Sequence, residues 1–203
     1  MNIDESMPVV PTPDLVSDAC KKFDEANDVV EQALTDLFNR YPRNDKQSNV
    51  LLKVVALNRL YSTNIFAVYD VAHHIWQLSE DVDSALASGV PEIVDKIARV
   101  TITTTGKNRT NYSFATKYCS WHNQASYPIW DSRVDRYLRS MRQTSFAKFL
   151  NPHGDLWNCY PEFVKLMTDF RDFYGLGSFN FKQIDKFLYA HGVKPSGMAA
   201  PTD

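Results

Sequence analysis

Apolar residues recur every three or four positions along most of the chain, which is the period of a helix with one buried face. The clearest series lies within the first forty residues and consists of Leu15, Ala19, Phe23, Ala26, Val30, Ala33 and Leu37. A second helix is predicted over residues 46–61. A third is predicted over residues 64–79, where apolar residues occur nearly all round and indicate a central position. No pair of segments alternates convincingly between polar and apolar residues, so strands are not predicted.

The second half of the chain repeats this pattern after a break at Gly89-Val90, where Pro91 is well placed to open a helix. Further helices are predicted over residues 113–122, 132–142 and 159–174, and FKQIDKFLYAHG supplies a closing helix that ends at Gly192. The fold class is therefore all-α. We expect a single compact helical domain over residues 13–192, without a sheet of three or more strands, and flexible tails over 1–12 and 193–203.

Composition favours a soluble cytoplasmic protein. Hydrophobic residues make up 44% of the 203 residues, and no stretch approaches the ~20 apolar residues that a membrane span needs. The first residues are acidic and contain prolines, which is unlike a signal peptide or a basic transit peptide. Three cysteines without framework spacing indicate reduced thiols.

Charge is unevenly distributed, although the net charge is only −2. Residues 1–44 carry nine acids and four bases, whereas residues 101–145 carry seven bases and two acids. A basic segment in an otherwise acidic chain is typical of a site for a polyanion. A solvated helix face is the alternative interpretation.

Lys117 is the first candidate for chemistry, because it lies in the middle of the helix predicted over 113–122, one turn from Phe114 and Trp121. Burial between aromatic rings disfavours the ammonium form, so we expect a lowered pKa for this amine. Only the neutral amine attacks carbon, and a lysine with an ordinary pKa near ~10.4 is almost wholly protonated at pH 7. The alternative is a stem that packs on the rings while the amine reaches water.

Asp131 is the second candidate and follows Tyr127-Pro128-Ile129-Trp130 at the start of the next predicted helix. Aspartate is a favoured N-cap. However, Ser132 and Asp135 form a variant of the capping box, so Ser132 could cap the helix and leave Asp131 free to face a cleft. The sequence leaves both roles open.

Two segments carry a resemblance to a known superfamily. Ser113-Phe-Ala-Thr-Lys117, followed by Pro128-Ile-Trp-Asp-Ser-Arg-Val134, resembles the helix-hairpin-helix DNA glycosylases, above all the 8-oxoguanine glycosylase (OGG) fold and the archaeal GO glycosylases. The resemblance also touches residues 56–63 and 184–188, and in fold terms it covers most of residues 13–192. The Leu-Pro-Gly-hydrophobic-Gly turn of the usual hairpin is absent, and residues 105–111 stand in its place.

The resemblance implies a monomeric DNA glycosylase that flips a damaged or modified base out of the helix and excises it, without a cofactor or a metal ion. Lys117 would attack C1′ of the sugar and form a Schiff base. The strand can then be cleaved by β-elimination, which is the AP lyase reaction. Asp131 would take a proton from the lysine or stabilise positive charge on the sugar. The resemblance identifies neither the base nor the role, which could be genome repair or defence against phage DNA.

Further residues are expected to contact the DNA. Lys107 and Arg109 precede a helix N-terminus, which attracts anions, and Arg133 and Arg136 lie away from the apolar face of their helix. The candidates for stacking on the flipped base are Trp121, His122, Tyr127 and Trp130, for which an ordinary core position is the alternative.

Other interpretations remain open. A non-catalytic helical module that binds nucleic acid or a protein partner would keep the same fold, whereas a helical RNase would need an Arg–His pair on one helix that this sequence lacks. Cys119 and His122, with His153 and Cys159 further along, do not match the spacing of a common zinc module. Four polar residues lie at the end of the second predicted helix. We interpret them as capping and turn residues and not as part of a base pocket; they are Asn58, Tyr61, Ser62 and Thr63.

Overall fold

Helices make up most of the regular structure in the computed structural model, which describes residues 7–151 and 153–192. In chain order they are α1 (Pro13–Arg40), α2 (Gln47–Leu60), α3 (Val68–Gln77), α4 (Ser79–Ser88), α5 (Glu92–Ala98), α6 (Tyr112–His122), α7 (Ser132–Ser140), α8 (Tyr160–Phe173) and α9 (Phe181–His191). A short 3-10 turn, Met141–Gln143, extends α7. The all-α prediction is confirmed: within these residues the one sheet has two strands.

Local signals account for several helix ends. The Thr12 hydroxyl accepts a hydrogen bond from the Leu15 backbone N–H at the start of α1, and Pro13 occupies the first helical position. A capping box opens α9, in which Asn180 and Gln183 each accept a hydrogen bond from the other's backbone N–H. Gly89 ends α4 in the left-handed conformation, with φ +70°.

The helix at the centre of the fold is α6, in which every residue from Phe114 to Trp121 is buried. It packs against α5 and also contacts α1, α2 and α4, while α1 packs on α9 and α2 on α3. The prediction that the third helix is the central one is wrong, since α3 leaves Tyr69 61% exposed. The helix predicted over residues 64–79 is instead Val68–Gln77, and after Leu78 it is followed by a separate helix, α4, which the periodicity did not predict.

A β-hairpin occupies the place where the resemblance would put a helical hairpin. Strand β1 (Arg99–Thr101) pairs with β2 (Asn108–Thr110) in antiparallel register, with Arg99 opposite Thr110. Gly106 lies in the connecting turn with φ +64°. The Thr103 hydroxyl donates to the Asp70 carboxylate at 2.6 Å, which fixes the hairpin turn to the first turn of α3.

The predicted N-terminal tail lies partly within the described residues. Residues 7–12 have no helix or strand, and the carbonyl oxygen of Val9 accepts a hydrogen bond of 2.6 Å from the Tyr137 hydroxyl. Residues 1–6 and the predicted tail at 193–203 lie outside the described residues. None of the helices in the described ranges is long and apolar enough to cross a membrane.

A fully buried lysine fixes the connection between α1 and α2. The Lys53 amine lies 3.1 Å from the carbonyl oxygens of Tyr41 and Arg43, 2.7 Å from the Asn44 side-chain oxygen and 3.2 Å from His122 Nε2. Burial lowers the pKa of Lys53 to about 8. Burial and the neighbouring Lys53 lower the pKa of His122 to about 3, so this imidazole is neutral at physiological pH.

The partly buried His122 makes stability depend on pH. An unfolded chain protonates this histidine below its ordinary pKa of 6.5, whereas the folded protein resists protonation down to about 3. Stability is therefore retained above pH 6.5 and lost progressively as the pH falls towards 3. We expect His122 to lower the free energy of unfolding by about 2 kcal/mol at pH 5 relative to pH 7.5, measured by urea titration.

The matched control is His153, which is exposed. His122→Gln should lose less stability than the wild type between pH 7.5 and pH 5, and His153→Gln should lose as much as the wild type. Equal losses in the wild type and His122→Gln would contradict the assignment.

Candidate active site

Lys117 projects from the central helix α6 into the protein interior. Its side chain is 5% exposed. The amine donates a hydrogen bond of 2.8 Å to the Ser113 hydroxyl, one turn earlier on the same helix. It also forms an ion pair of 3.2 Å with the Asp131 carboxylate. The predicted pair of residues is thus in direct contact.

Asp131 performs two tasks with its two carboxylate oxygens. Oδ1 accepts hydrogen bonds from the backbone N–H groups of Arg133 (2.9 Å) and Val134 (3.1 Å), which caps α7. Oδ2 accepts from the Lys117 amine. The cap is therefore Asp131 and not Ser132, and capping does not turn the carboxylate away from the lysine.

Thr116 holds the segment before Asp131 against α6. Its buried hydroxyl accepts a hydrogen bond of 3.1 Å from the Trp130 backbone N–H. The same oxygen lies 3.2 Å from the carbonyl oxygens of Ser113 and Trp130. Because Trp130 immediately precedes Asp131, this contact sets the position of the carboxylate relative to Lys117.

A second buried lysine lies beside this pair. The Lys182 amine donates a hydrogen bond of 2.6 Å to the Tyr61 hydroxyl, which in turn donates one of 2.9 Å to Glu31. It lies 5.0 Å from the ring centres of both Tyr61 and Trp121. Burial lowers the pKa of Lys182. The Tyr61 ring centre is also 5.9 Å from the Lys117 amine, so one aromatic ring adjoins both lysines.

Asp185, one turn after Lys182 on α9, is the least satisfied carboxyl group of this region. It is 8% exposed, and its Oδ1 has no hydrogen-bond partner among the described residues. Burial raises the pKa of Asp185 to about 7, although the positive charges of Lys182 and Lys117 act in the opposite direction. We call Lys117, Asp131, Lys182, Asp185, Glu31 and Tyr61 the lysine cluster.

The lysine cluster brings together groups that can exchange a proton and whose side chains are largely shielded from solvent. An ion-paired amine is not nucleophilic until it gives up a proton, and Asp131 is in hydrogen-bond contact to accept it. Asp185 is a second carboxyl group nearby that changes its charge close to neutral pH. The arrangement is therefore suited to nucleophilic or acid–base chemistry by a lysine.

The four predicted stacking residues are dispersed. Trp121 adjoins the Lys182 amine. His122 belongs to the Lys53 network, and the Tyr127 hydroxyl lies 2.8 Å from the carbonyl oxygen of Ala85 in the core. Trp130 packs edge-on against Trp157 at 5.5 Å. The core interpretation therefore fits His122 and Tyr127.

The predicted DNA-binding cations differ in how free they are. Lys107 and Arg109 are exposed on the β-hairpin, and neither forms an ion pair within the described residues. The Arg133 guanidinium stacks 3.9 Å from the Tyr189 ring centre. Arg136 donates to the carbonyl oxygen of Gly192. Of the four predicted cations, Lys107 and Arg109 on the hairpin are therefore the most accessible to a DNA phosphate.

Sequence reasoning missed Lys182, Asp185 and Glu31. The signal on α9 was the presence of charged residues in a helix that is otherwise apolar: Lys182, Asp185 and Lys186 are interleaved with Phe181, Ile184, Phe187 and Leu188. Such a helix cannot bury its apolar residues without burying some charge as well. Glu31 lies on the largely polar helix α1, and no local pattern marks it.

A separate cavity of about 860 Å³ shares no lining residue with the lysine cluster. Its lining includes Asp45, Glu80, Asp81 and Asp83, with Arg43 as the basic member. Such a wall repels phosphates, so this cavity is a poor place for a nucleic acid. Within the described residues, no three His, Cys, Asp or Glu side chains are grouped as they would be around a metal ion.

The contact between Thr116 and Trp130 can be tested by Thr116→Val, which removes the hydroxyl and leaves the Trp130 N–H without this acceptor. We expect a loss of about 1–3 kcal/mol in the free energy of unfolding, measured by urea titration. The matched control is Thr168→Val, because the Thr168 hydroxyl bonds only to the carbonyl oxygen one turn earlier in α8. A smaller loss in Thr116→Val than in Thr168→Val would show that Thr116 does not hold the segment.

Comparison with known proteins gives the family. The HI_0787_N model, described as an N-terminal domain, matches residues 15–126, which include Lys117 and end before Asp131. An uncharacterized protein of Haemophilus influenzae is 41% identical over 136 residues, 66% of this chain and 62% of that protein, so the chain spans less than two thirds of this curated relative. No solved structure gives a significant match. Because the family model matches more than half of the residues of this chain, the chain belongs to the HI_0787_N family.

Proposed function

We propose that this protein is a DNA glycosylase that excises a damaged or modified base through a Schiff base on Lys117. One observation carries the proposal: the Lys117 amine is buried and lies 3.2 Å from the Asp131 carboxylate. The resemblance of residues 113–117 and 128–134 to the helix-hairpin-helix glycosylases supplies the reaction class. The buried Lys182 and Asp185 beside the pair add support, since perturbed ionisable groups concentrate at active sites.

The first step is loss of a proton from the Lys117 ammonium to Asp131, along the hydrogen bond between them. The neutral amine attacks C1′ of the flipped nucleotide and forms a C–N bond, while the bond from C1′ to the base breaks. The base leaves with that electron pair and takes up a proton. Asp131 can return the proton, so the carboxylate acts first as a base and then as an acid.

The second step opens the sugar ring. The amine now attached to C1′ loses a proton, its lone pair displaces the ring oxygen, which takes up that proton and becomes a hydroxyl, and an iminium ion, the Schiff base, results. Asp131, again a carboxylate, then accepts a proton from C2′, and the electron pair left behind expels the 3′ phosphate by β-elimination. Water adds to the remaining iminium and releases the aldehyde and free Lys117, so atoms and charge balance.

A flipped heterocyclic base that enters beside Lys117 would meet aromatic and polar groups. Tyr61 and Trp121 offer aromatic faces, and Asp185 offers a buried oxygen without a partner among the described residues. Asp131 is 17% exposed, compared with 5% for Lys117, so the nucleotide would approach from the side of the carboxylate. A small opening beside Asp131 is required, because the amine itself is enclosed.

The alternative is a non-catalytic module that binds nucleic acid or a protein partner. One observation favours it: Asp131 caps α7 and pairs with Lys117, so both residues have a structural role without chemistry. The two proposals predict different chemistry, because only the glycosylase forms a covalent bond between Lys117 and DNA. Borohydride reduces a Schiff base to a stable amine and therefore decides between them.

We expect the wild type to give a borohydride-trapped adduct on duplex DNA that contains an abasic site, and Lys117→Gln to give none. Glutamine retains a hydrogen-bond donor for Asp131 and a good helix propensity, so the variant should fold, which circular dichroism checks. The matched control is Lys165→Gln on the exposed surface of α8, which should trap as well as the wild type. Mass spectrometry of the adduct should show the DNA attached to Lys117. An adduct on Lys182 would identify Lys182 as the nucleophile instead.

Asp131→Asn should retain the cap of α7 and remove the negative charge, because asparagine is also a good N-cap. We expect this variant to fold and to bind DNA, but to release base about 10²–10⁴-fold more slowly in single-turnover experiments. The effects of Lys117→Gln and Asp131→Asn should be far from additive. A wild-type rate in Asp131→Asn would show that the carboxylate has no part in the reaction. Base release by Lys117→Gln at the wild-type rate would show that water, and not the lysine, is the nucleophile.

The β-hairpin should contribute to DNA binding through its free cations. We expect Lys107→Gln and Arg109→Gln each to weaken binding to duplexes of any sequence and to lower the slope of log affinity against log salt by about one. Fluorescence anisotropy at several salt concentrations measures this slope. Lys165→Gln again serves as the control, and unchanged slopes in both hairpin variants would place the DNA elsewhere.

A further inference from the structure

Three aromatic side chains form a partly exposed row along α3. The ring centres of Tyr69 and His73 lie 6.0 Å apart with an angle of 5° between the ring planes, and those of His73 and Trp76 lie 5.5 Å apart. Tyr69 is 61% exposed, and the other two rings are partly exposed. We call Tyr69, His73 and Trp76 the aromatic stripe. A continuous apolar surface of this kind, unlike a single exposed residue, is typical of an interaction site.

The aromatic stripe is held in place by the start of α2 and the segment before it. His73 Nδ1 lies 3.2 Å from the side-chain amide nitrogen of Gln47. The Trp76 indole N–H donates a hydrogen bond of 3.2 Å to the carbonyl oxygen of Asp45. Because two of the three rings are fixed by these contacts, a partner that binds the stripe immobilises little that is not already ordered.

The loop before α3 exposes further apolar side chains. Phe66 is 99% exposed, and Leu60, the last residue of α2, is 43% exposed. Asn58 orders the turn between them, because its amide donates to the carbonyl oxygen of Ile65 at 2.8 Å and its oxygen accepts from the Ile65 N–H at 2.9 Å. Exposed apolar residues therefore follow one another from the end of α2 through this ordered turn to Tyr69.

At its other end, the aromatic stripe leads into an acidic surface. Trp76 lines the cavity of about 860 Å³ described above. A second cavity, of about 440 Å³, shares Glu80 and Asp81 with the first. Within the described part of the chain, Glu80 forms no ion pair, and Asp81 reaches only Lys96, at 4.0 Å. The charged residues that line the two cavities are two bases and five acids, the acids being Asp45, Glu80, Asp81, Asp83 and Glu92.

We propose that the aromatic stripe and the two acidic cavities bind a partner polypeptide in which large apolar residues are followed by a cluster of Lys or Arg. Charge complementarity carries the choice of partner, since the acidic walls attract Lys and Arg and repel phosphates. The rings can cover apolar side chains or stack on a guanidinium group.

The length of the surface favours a polypeptide over a small cation. The ten residues of α3 extend over about 15 Å, which corresponds to about five residues of an extended peptide. The inference goes beyond the proposed function and does not depend on it, because no residue of the lysine cluster or of the hairpin takes part.

The first test is a selection of peptides on the full-length protein. A phage-displayed library of random dodecapeptides is panned on the wild type. We expect the enriched peptides to combine large apolar residues with a cluster of Lys or Arg on one side of them. In an NMR titration with the best synthetic peptide, the indole N–H signal of Trp76, identified by its absence in Trp76→Phe, should shift.

The apolar part of the surface is tested by Tyr69→Ser. We expect this variant to bind the selected peptide about tenfold more weakly than the wild type, measured by fluorescence anisotropy. The matched control is Leu150→Ser, which removes an apolar side chain of similar exposure, 52%, from the loop before α8 and should bind as the wild type does. Circular dichroism checks that both variants fold.

The charged part is tested by the double variant Glu80→Gln/Asp81→Asn. Loss of two acids should weaken binding of the same peptide about tenfold and make the affinity less dependent on salt. The matched control is Glu25→Gln/Asp28→Asn, which changes the net charge equally at exposed positions of α1 and should leave the affinity unchanged.

Several results would overturn this inference. They are the absence of enriched peptides, enriched peptides without clustered Lys or Arg, and peptides that bind Tyr69→Ser or Glu80→Gln/Asp81→Asn as tightly as the wild type. Self-association of the wild type that Tyr69→Ser abolishes, measured by sedimentation velocity, would assign the aromatic stripe to a second copy instead. The borohydride experiment on DNA has no bearing on these results, so the inference and the proposed chemistry fail separately.

Discussion

The buried ion pair between Lys117 and Asp131 is the constraint on which the rest of the site depends. A charge in the interior is costly unless its partner and its remaining hydrogen bonds are supplied. Ser113 and Asp131 supply them for the lysine, and the first turn of α7 supplies them for the carboxylate. The start of α7 must therefore lie against the middle of α6, and the hydroxyl of Thr116 maintains this arrangement.

The second lysine extends this constraint across the protein. Lys182 on α9 requires Glu31 on α1 and Tyr61 at the end of α2, so three helices are tied to one amine. Asp185 adds a carboxyl group for which burial raises the pKa to about 7. The charge of the cluster therefore changes near neutral pH.

How much of this arrangement the sequence predicted depends on how far apart the residues lie along the chain. The helices other than α4 followed from periodicity, and Lys117 and Asp131 were predicted as a pair from the resemblance of two segments that lie close together in the chain, residues 113–117 and 128–134. Strands β1 and β2 were missed because three residues are too few for an alternating pattern to be visible. Glu31 and Lys182 are more than 150 positions apart, and only the packing of α1 on α9 brings them together.

The two tasks of Asp131 determine how the proposed chemistry can be separated from stability. One oxygen holds a helix N-terminus, and the other holds the amine, so removal of the whole side chain would damage fold and reaction together. Among the described residues, the Lys117 amine has no comparable backbone contact, because its partners are the side chains of Ser113 and Asp131. Changes at the lysine therefore report mainly on chemistry, whereas changes at the carboxylate report on chemistry only when the substitute still caps α7.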